Sequence, residues 1–377
     1  MPRRREPEPV AALTWDQVLS FRLARQFLDP RTTKGPVDVV RRLCGVQAQV
    51  ASSAEFAIAT RRRAAKPGPV ARAISTATLV KTWAMRGTLH LLVAERAPAM
   101  LATMSRLTPW RSAAWERYHG VTAADVERVR DALFEVLSAE PLTREELIEA
   151  VGARVGSRAV RERLSSGWGE LLKPAAWAGV LLQGPPRGSS VTFVRADAWV
   201  DGWRCPDPEE GGADVLRSYL YAFGPATPQH VADWWARQPA SKVRPWFERL
   251  GEEIAPVAIE GDVLWALAAD VHALETTRPS DAVRLLGNFD QYILTAGSGS
   301  ASFVPAEHKA KVSRTGGWIS RLVVRGGRVA GVWEPEPTTG EVTFDLWEPV
   351  PADALDAELD RIGLLAGHGP NAGTHPA

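Results

Sequence analysis

The thirteen residues Leu43–Glu55, with the sequence LCGVQAQVASSAE, lie where one predicted helix gives way to another. Residues 36–43 begin with a proline and place apolar side chains at helical spacing, which predicts a helix ending near Val46. Ser52 and Glu55 have the spacing of a capping box, so the next helix is predicted to begin at Ser52. The stretch therefore predicts two helices joined by a short connection.

Two glutamines, Gln47 and Gln49, lie in this connection. Side chains two positions apart point to roughly opposite sides of a helix, whereas in extended backbone they point the same way. If the first helix has ended, the two amides converge into a small neutral clamp that can hold a water molecule or the edge of a base. The alternative is two ordinary surface glutamines in a turn, and the local pattern leaves both interpretations open.

Length and composition are typical of a globular protein with several modules. The chain has 377 residues, of which 45% are hydrophobic and 24% charged. It contains neither an apolar run long enough to span a membrane nor a signal-peptide core. The two cysteines, Cys44 and Cys205, are isolated, which argues against a disulfide framework and against a metal knuckle. We expect a cytoplasmic, non-membrane protein.

The charge is distributed unevenly along the chain. Residues 1–120 carry 20 Lys and Arg against 8 Asp and Glu, a net charge of +12, although the whole chain has a net charge of +1. A basic region of this kind predicts that a polyanion binds there, with the triplet Arg61, Arg62, Arg63 as candidate DNA contacts. A solvated arginine-rich surface is the alternative that charge alone leaves open.

The same succession of helices followed by two strands occurs three times, at irregular spacing, which is the outline of a winged helix-turn-helix. The first hairpin carries Arg86 at its tip as a further candidate DNA contact, and His90 beyond it is expected to face outward. The predicted hairpins pair Leu79–Trp83 with Thr88–Val93, Val180–Gln183 with Val191–Val194, and Ile254–Ile259 with Val263–Leu267.

Short strand-like runs follow residue 280, which predicts a small β-barrel or sheet and then a last helix. These runs are Val283–Leu286, Gln291–Leu294, Ile319–Val324, Val329–Trp333 and Val342–Leu346. The fold class is therefore predicted to be α+β. The predicted divisions are winged-helix modules at residues 10–120, 121–205 and 213–275, a linker at Cys205–Gly212, β-structure at 280–350 and a helix at 351–366.

Sequence signatures of cofactor or metal chemistry are missing. The chain has no glycine-rich phosphate loop after a strand and no HExxH, CxxC or GxSxG motif, and its seven histidines are scattered. We therefore expect no metal and no cofactor. From these residues alone the prediction is DNA binding through winged helices.

Five motifs in this order resemble the winged-helix DNA glycosylases of the AlkZ/AlkX type, which excise bulky alkylated bases and unhook interstrand crosslinks. They are Leu43–Gln49 (LCGVQAQ), Trp83–Leu91 (WAMRGTLHL), Leu286–Leu294 (LGNFDQYIL), Pro305–Lys309 (PAEHK) and Val324–Trp333 (VRGGRVAGVW). The resemblance spans about Leu13 to Trp347. It implies three tandem winged-helix modules with a β-barrel around a C-shaped DNA channel.

The resemblance also implies catalytic residues. The family signature is glutamine, an apolar residue, then glutamine in the branch linked to antibiotic self-resistance, or aspartate in the last position in the other branch. Gln47 and Gln49 match the first form, with Ala48 as a small apolar filler. The residues carried over as possible site lining are Ser53, His90, Asp290 and His308.

The functional hypothesis is a monofunctional glycosylase that hydrolyses the N-glycosidic bond of N7- or N3-alkylated purines. Its expected partner is double-stranded DNA carrying alkyl-purine adducts, and we expect a monomer. The competing hypothesis, from a different class, is a winged-helix transcriptional regulator or another non-catalytic DNA-binding protein. Three modules in one chain, without a design for a palindromic dimer, weigh against a simple repressor.

Overall fold

A computed structural model describes residues 8–64, 68–165, 169–296, 302–336 and 338–366 of the chain. The fold is mixed α+β, as predicted. The helices are α1 Trp15–Arg25, α2 Pro36–Arg42, α3 Ala51–Thr60, α4 Pro69–Ser75, α5 Ala97–Met104, α6 Ala113–His119, α7 Ala123–Val136, α8 Arg144–Val155, α9 Arg158–Leu164, α10 Lys173–Trp177, α11 Ala196–Trp199, α12 Pro208–Phe223, α13 Pro228–Ala236, α14 Arg244–Leu250, α15 Val271–Thr276, α16 Gln291–Ala296, α17 Lys309–Val312 and α18 Ala352–Ala366.

The strands are β1 Ala12–Leu13, β2 Val46–Gln47, β3 Leu79–Trp83, β4 Leu89–Val93, β5 Leu142–Thr143, β6 Leu181–Arg187, β7 Ser190–Arg195, β8 Ile254–Ile259, β9 Asp262–Leu267, β10 Val283–Leu286, β11 Leu322–Arg325, β12 Arg328–Pro335 and β13 Val342–Leu346. The chain forms two compact units, Gly68–Val215 and a unit composed of Met1–Pro67 with Leu216–Ala377. The predicted five-part division stays a prediction. The compact units divide the chain at other points, since residues 10–120 contribute to both.

Helix starts are set by local hydrogen bonds. Thr14, Thr122, Thr143 and Thr227 each form a complete capping box, in which the threonine oxygen accepts the backbone N–H three residues later. The predicted cap at Ser52 is wrong, because α3 already begins at Ala51 and Ser52 lies inside its first turn.

The unit Gly68–Val215 contains a sheet in which β4, β3, β6, β7 and β5 follow one another. Both predicted hairpins are confirmed: β3 pairs antiparallel with β4, and β6 pairs antiparallel with β7. Helices α7 to α10 cover the sheet with apolar side chains. The fully or nearly fully buried side chains of this core include Trp83, Val129, Leu133, Val151, Val160, Ala175, Leu181 and Phe193.

The other unit contains two sheets. In the first, the predicted hairpin of β8 and β9 is confirmed, and the unpredicted strand β1 pairs parallel to β8. In the second, β10 to β13 pair in chain order, each antiparallel to the next. Across the described residues this sheet is open, so the predicted sheet is confirmed and the barrel alternative is wrong.

Two sequence-based assignments need correction. The run Gln291–Leu294, predicted as a strand, lies in α16, whose start is fixed by the Asp290 carboxylate accepting the Tyr292 N–H at 2.8 Å. A short apolar run fits a strand and a buried helix equally well, which explains the error. The predicted linker Cys205–Gly212 is partly helical, because α12 begins at Pro208 with Glu209 and Glu210 in its first turn.

The last helix, α18, is confirmed close to its predicted bounds, and Leu355 is buried against the sheet of β10 to β13. In the parts of the chain that the structure describes, no helix combines the length and the apolar character that crossing a membrane requires.

Candidate active site

The backbone around the two glutamines changes direction twice. Helix α2 ends at Arg42, earlier than predicted, and Cys44 and Gly45 have positive φ angles of 52° and 104°. This left-handed turn lets the Gly45 N–H donate to the Val40 carbonyl at 3.1 Å, which satisfies a carbonyl at the helix end. Extended backbone follows in β2, so Gln47 lies outside both helices, as the clamp interpretation requires.

The two glutamines differ in exposure. Gln47 has only 8% of its surface exposed, Ala48 between them has 1%, and Gln49 is exposed. The small alanine therefore fills a buried place, which agrees with its predicted packing role. Since Gln49 lies in a bend, regular alternation stops at Gln47, and convergence of the two amides stays a prediction.

The surroundings of the motif along the chain are neutral. Residues 43–54 contain no ionisable side chain except the thiol of Cys44, and Glu55 beyond them is exposed. Ser53 is half-buried in the first turn of α3, directly after the motif. Within the described ranges, no group of three His, Cys, Asp or Glu side chains is placed to hold a metal ion.

Arg61, at the other end of α3, is fully buried and corrects two predictions. Its Nη2 and Nη1 atoms donate to the two carboxylate oxygens of Asp290 at 2.7 and 2.8 Å, and both side chains have 0% exposure. Nη1 also donates to the Ala57 carbonyl at 2.8 Å. Arg61 is therefore closed to a DNA phosphate and Asp290 does not line an accessible surface, because each is committed to the other.

The arginine triplet is thus divided. Arg62 is half-buried and its Nε donates to the Lys34 carbonyl at 3.0 Å, whereas Arg63 is exposed and its Nε donates to the Arg31 carbonyl at 3.0 Å. Both side chains keep N–H groups beyond these bonds for a phosphate, so they stay candidate DNA contacts. Of the triplet, Arg63 is the most accessible.

Part of the basic excess of the N-terminal third is compensated by acids far along the chain. Arg25 pairs with Asp270, and Arg31 donates to Glu358 at 2.7 Å, as Arg61 does to Asp290. The excess therefore overstates the positive charge that this region presents to solvent. The charge pattern predicted a polyanion site, but three of the arginines in that pattern form ion pairs within the protein.

Arg86 and His90 lie in the unit Gly68–Val215. Arg86 is half-buried at the hairpin connection with a φ of 56°. His90 is wrongly predicted to face outward: it has 0% exposure, because both faces of β4 are buried. Burial, and after it the charge of Arg86, lowers the pKa of His90 from its usual 6.5 to about 3. The ring is neutral near pH 7, and its Nδ1 lies 3.0 Å from the Thr88 carbonyl.

His308 is half-buried and stacks on Trp347, with ring centroids 4.3 Å apart and an angle of 16° between the rings. Lys311 lies over the same indole at 5.9 Å from the ring centroid. His308 therefore belongs to an aromatic contact at the edge of the β10–β13 sheet, and its predicted role in lining a site stays a prediction.

Sequence reasoning missed the residues that complete the C-terminal end of α3. Arg31 donates to the Thr60 carbonyl at 2.9 Å, and Arg361 of α18 donates to the carbonyls of Ala59, Arg62 and Arg63. A pattern of basic residues near a helix end is a known capping signal. Here it could not be found, because Arg361 lies 302 residues after Ala59.

Three comparisons with known proteins agree. The family model described as DNA glycosylase AlkZ-like matches residues 40–365, a range that contains Gln47, Gln49 and the other residues predicted from the sequence as site candidates. An interstrand DNA cross-link repair glycosylase of Streptomyces sahachiroi is 40% identical over 359 residues, covering 94% of this chain and 97% of the relative. The solved structure of Streptomyces sahachiroi DNA glycosylase AlkZ matches with a TM-score of 0.89 at 39% identity, over 94% of this chain and 97% of that one.

Proposed function

The chain belongs to the AlkZ-like DNA glycosylase family, and from this premise we propose that it excises bulky N7- or N3-alkylated purines, including guanines in interstrand crosslinks. The crosslink part of the proposal is supported by the printed function of the relative from Streptomyces sahachiroi. Family membership favours an enzyme over the competing hypothesis of a transcriptional regulator. Self-resistance to a genotoxic natural product is the physiological role that we propose with it.

We propose Gln47 and Gln49 as the catalytic residues. The observation that carries this proposal is their placement in neutral, non-helical backbone between α2 and α3. Glutamine has no accessible protonation change near neutral pH, so neither residue can act as a general base. Each can orient a water molecule or direct its carbonyl dipole at positive charge that develops on the sugar.

Their different exposure suggests a division of roles. Gln49 is exposed and is the glutamine that a flipped nucleotide or its attacking water reaches first. Gln47, with 8% exposure, has less freedom to move and supplies a preorganised dipole behind it. Both interactions strengthen as the glycosidic bond breaks, because positive charge then grows on the deoxyribose.

The neutral motif defines the substrate class. Alkylation at guanine N7 or adenine N3 makes the base cationic, so it departs as a neutral molecule and needs no general acid. Uracil and 8-oxoguanine lack this activation, and dipoles alone stabilise their departure too little. Bulky adducts also fit an open site better than a tight base-flipping pocket.

For DNA binding, we propose that Arg62, Arg63 and Arg86 contact phosphates and that the three helix–hairpin runs act as winged-helix modules around a C-shaped channel. The half-buried Ser53 and His308 and the neutral His90 are proposed to line or support the site. We further propose that the protein acts as a monomer in the cytoplasm, without a metal or cofactor.

The test is an excision assay on matched duplex oligonucleotides that contain N7-alkylguanine, an N7-linked crosslink, uracil or 8-oxoguanine. The protein is incubated with each duplex under single-turnover conditions, and hot alkali then converts abasic sites into strand breaks. We expect breaks at the two alkylated lesions and none at the others. Sequence-specific binding to an operator without breaks would support the regulator, and efficient removal of uracil would refute the neutral mechanism.

A further inference from the structure

Helix α3 follows the glutamine motif directly, and one segment of the β10–α16 connection contacts it at two points. Phe56 packs over Gly287, where an added Cβ atom would lie 2.6 Å from the Phe56 ring. One turn further, Arg61 pairs with Asp290. Gly287 and Asp290 both belong to the short connection between β10 and α16, so one segment contacts α3 at two levels along its length.

The first contact sets how closely α3 approaches the sheet of β10 to β13. Because Gly287 has no side chain, the Phe56 ring lies against its backbone, and the ring centroid is 6.2 Å from that of Trp333. The Trp333 Nε1–H donates to the Leu286 carbonyl at 3.0 Å, which fixes the indole in turn. An apolar contact of this kind limits distance but permits sliding along the helix axis.

The second contact restricts sliding. The planar guanidinium of Arg61 binds both oxygens of Asp290, so the pair has a defined direction as well as a distance. Asp290 is itself held by the Tyr292 N–H of α16, and Arg61 is held by the Ala57 carbonyl of α3. The two helices are therefore registered against each other through one buried pair.

We propose that Arg61 and Asp290 are positioning residues that fix α3 along its axis and thereby place Gln47 and Gln49 for catalysis. The proposal rests on the proposed catalytic role of the glutamines. A helix transmits an axial displacement from its last turn to its first, because each residue is hydrogen-bonded to the fourth before it. In the described structure, no side-chain hydrogen bond caps the N-terminal end of α3 at Val50.

A small axial displacement of α3 would be enough to slow catalysis. The axial rise in an α-helix is about 1.5 Å per residue, and misplacement of a catalytic group by about 1 Å can slow a reaction about 100-fold. A slip of less than one residue at Arg61 would therefore affect the chemical step. Arg62 and Arg63, the proposed phosphate contacts directly after Arg61, keep their own bonds to the Lys34 and Arg31 carbonyls, so the Kd for DNA should change much less than the excision rate.

The test is the double variant Arg61→Met/Asp290→Asn, which removes both charges and keeps an oxygen for the Tyr292 N–H. Removing both partners of a buried pair avoids the uncompensated charge that a single change leaves, so this variant is expected to fold. Circular dichroism and thermal unfolding check the fold. The matched control is Arg25→Met/Asp270→Asn, an ion pair in the same compact unit that joins α1 to the residue before α15.

We expect the single-turnover excision rate of N7-alkylguanine to fall about 10- to 100-fold in the Arg61/Asp290 variant, with a much smaller change in the Kd for the lesion duplex. The control should excise at the wild-type rate. In a Gln47→Ala/Gln49→Ala background, removing the pair should slow excision no further, because there is no glutamine left to place.

Three outcomes would overturn the inference: a folded double variant with the wild-type rate, an equal loss of rate in the control, or an additive loss in the glutamine-free background. Failure of the proposed function gives a different result. In that case Gln47→Ala/Gln49→Ala itself excises at the wild-type rate, whatever the Arg61/Asp290 variant does.

Discussion

The two ends of α3 are built in different ways. At the N-terminal end, the neutral Gln47 and Gln49 precede the helix, and Gln49 is exposed. At the C-terminal end, Arg61 is buried against Asp290, and Arg31 and Arg361 donate to the last carbonyls. One helix thus has an end that is open to solvent and an end that is tied to distant parts of the chain.

The difference shows that charge in a sequence does not by itself indicate where a ligand binds. The arginine triplet is the strongest basic signal of the N-terminal third, yet Arg61, its first member, is buried in an ion pair with Asp290. The glutamines carry no charge and are the residues that we propose for catalysis. A polar group that stays near solvent is available for function, whereas a buried charge must be paired inside the protein.

The largest expected effect is on the excision rate, and it comes from the two glutamines before the N-terminal end of α3. Gln47→Ala/Gln49→Ala should slow single-turnover excision of N7-alkylguanine by roughly 10²–10⁴-fold, the range typical for loss of a positioned catalytic group. Because neither side chain is charged, the Kd for lesion DNA should change little. The control is Gln229→Ala, a change in α13. A wild-type rate in the double variant would mean that the two glutamines take no part in catalysis.

A change at the C-terminal end of α3 should lower the free energy of unfolding. Asp290→Asn alone leaves the Arg61 charge buried without its carboxylate, which should lower the free energy of unfolding by about 3–5 kcal/mol. Denaturant unfolding measures this loss. We expect Arg61→Met/Asp290→Asn to recover much of it, since it removes the orphaned charge. If the free energy of unfolding of Asp290→Asn equals that of the wild type, the Arg61–Asp290 pair does not stabilise the C-terminal end of α3.

The smallest effect should come from Arg62 and Arg63, the two members of the triplet that are not fully buried. Each phosphate contact contributes about 0.9 to the slope of log affinity against log salt, so Arg62→Ser/Arg63→Ser should reduce that slope by at most about 1.8. The exposed Arg158, which pairs with Glu162 on α9, provides the control Arg158→Ser. Fluorescence anisotropy at several salt concentrations makes the measurement. An unchanged slope would mean that both arginines face away from DNA.

Features encoded within a few residues were predictable from the sequence. The three hairpins and the non-helical backbone at Gln47 depend on neighbours in the chain, and the structure has them. Ser52 was misassigned for a related reason. The Ser-x-x-Glu spacing is compatible with a cap, but α3 begins one residue earlier, at Ala51.

Features that depend on distant partners were not predictable. Asp290 lies 229 residues after Arg61, and no spacing rule connects them. The burial of His90 likewise follows from packing on both faces of β4, which alternation within the strand does not reveal. Single-sequence reasoning therefore found the catalytic candidates and misjudged which charges are free to bind DNA.

The bonds at the end of α3 also have a consequence for biosynthesis. Asp290 emerges from the ribosome 229 residues after Arg61, and Arg361 emerges 302 residues after Ala59. At about 5–20 residues per second, these partners arrive roughly 11–60 s after the helix they complete. Until then a nascent chain carries its glutamine motif on a helix whose last turn is unfinished. The segment that presents the glutamines is therefore among the first to be made and among the last to be completed.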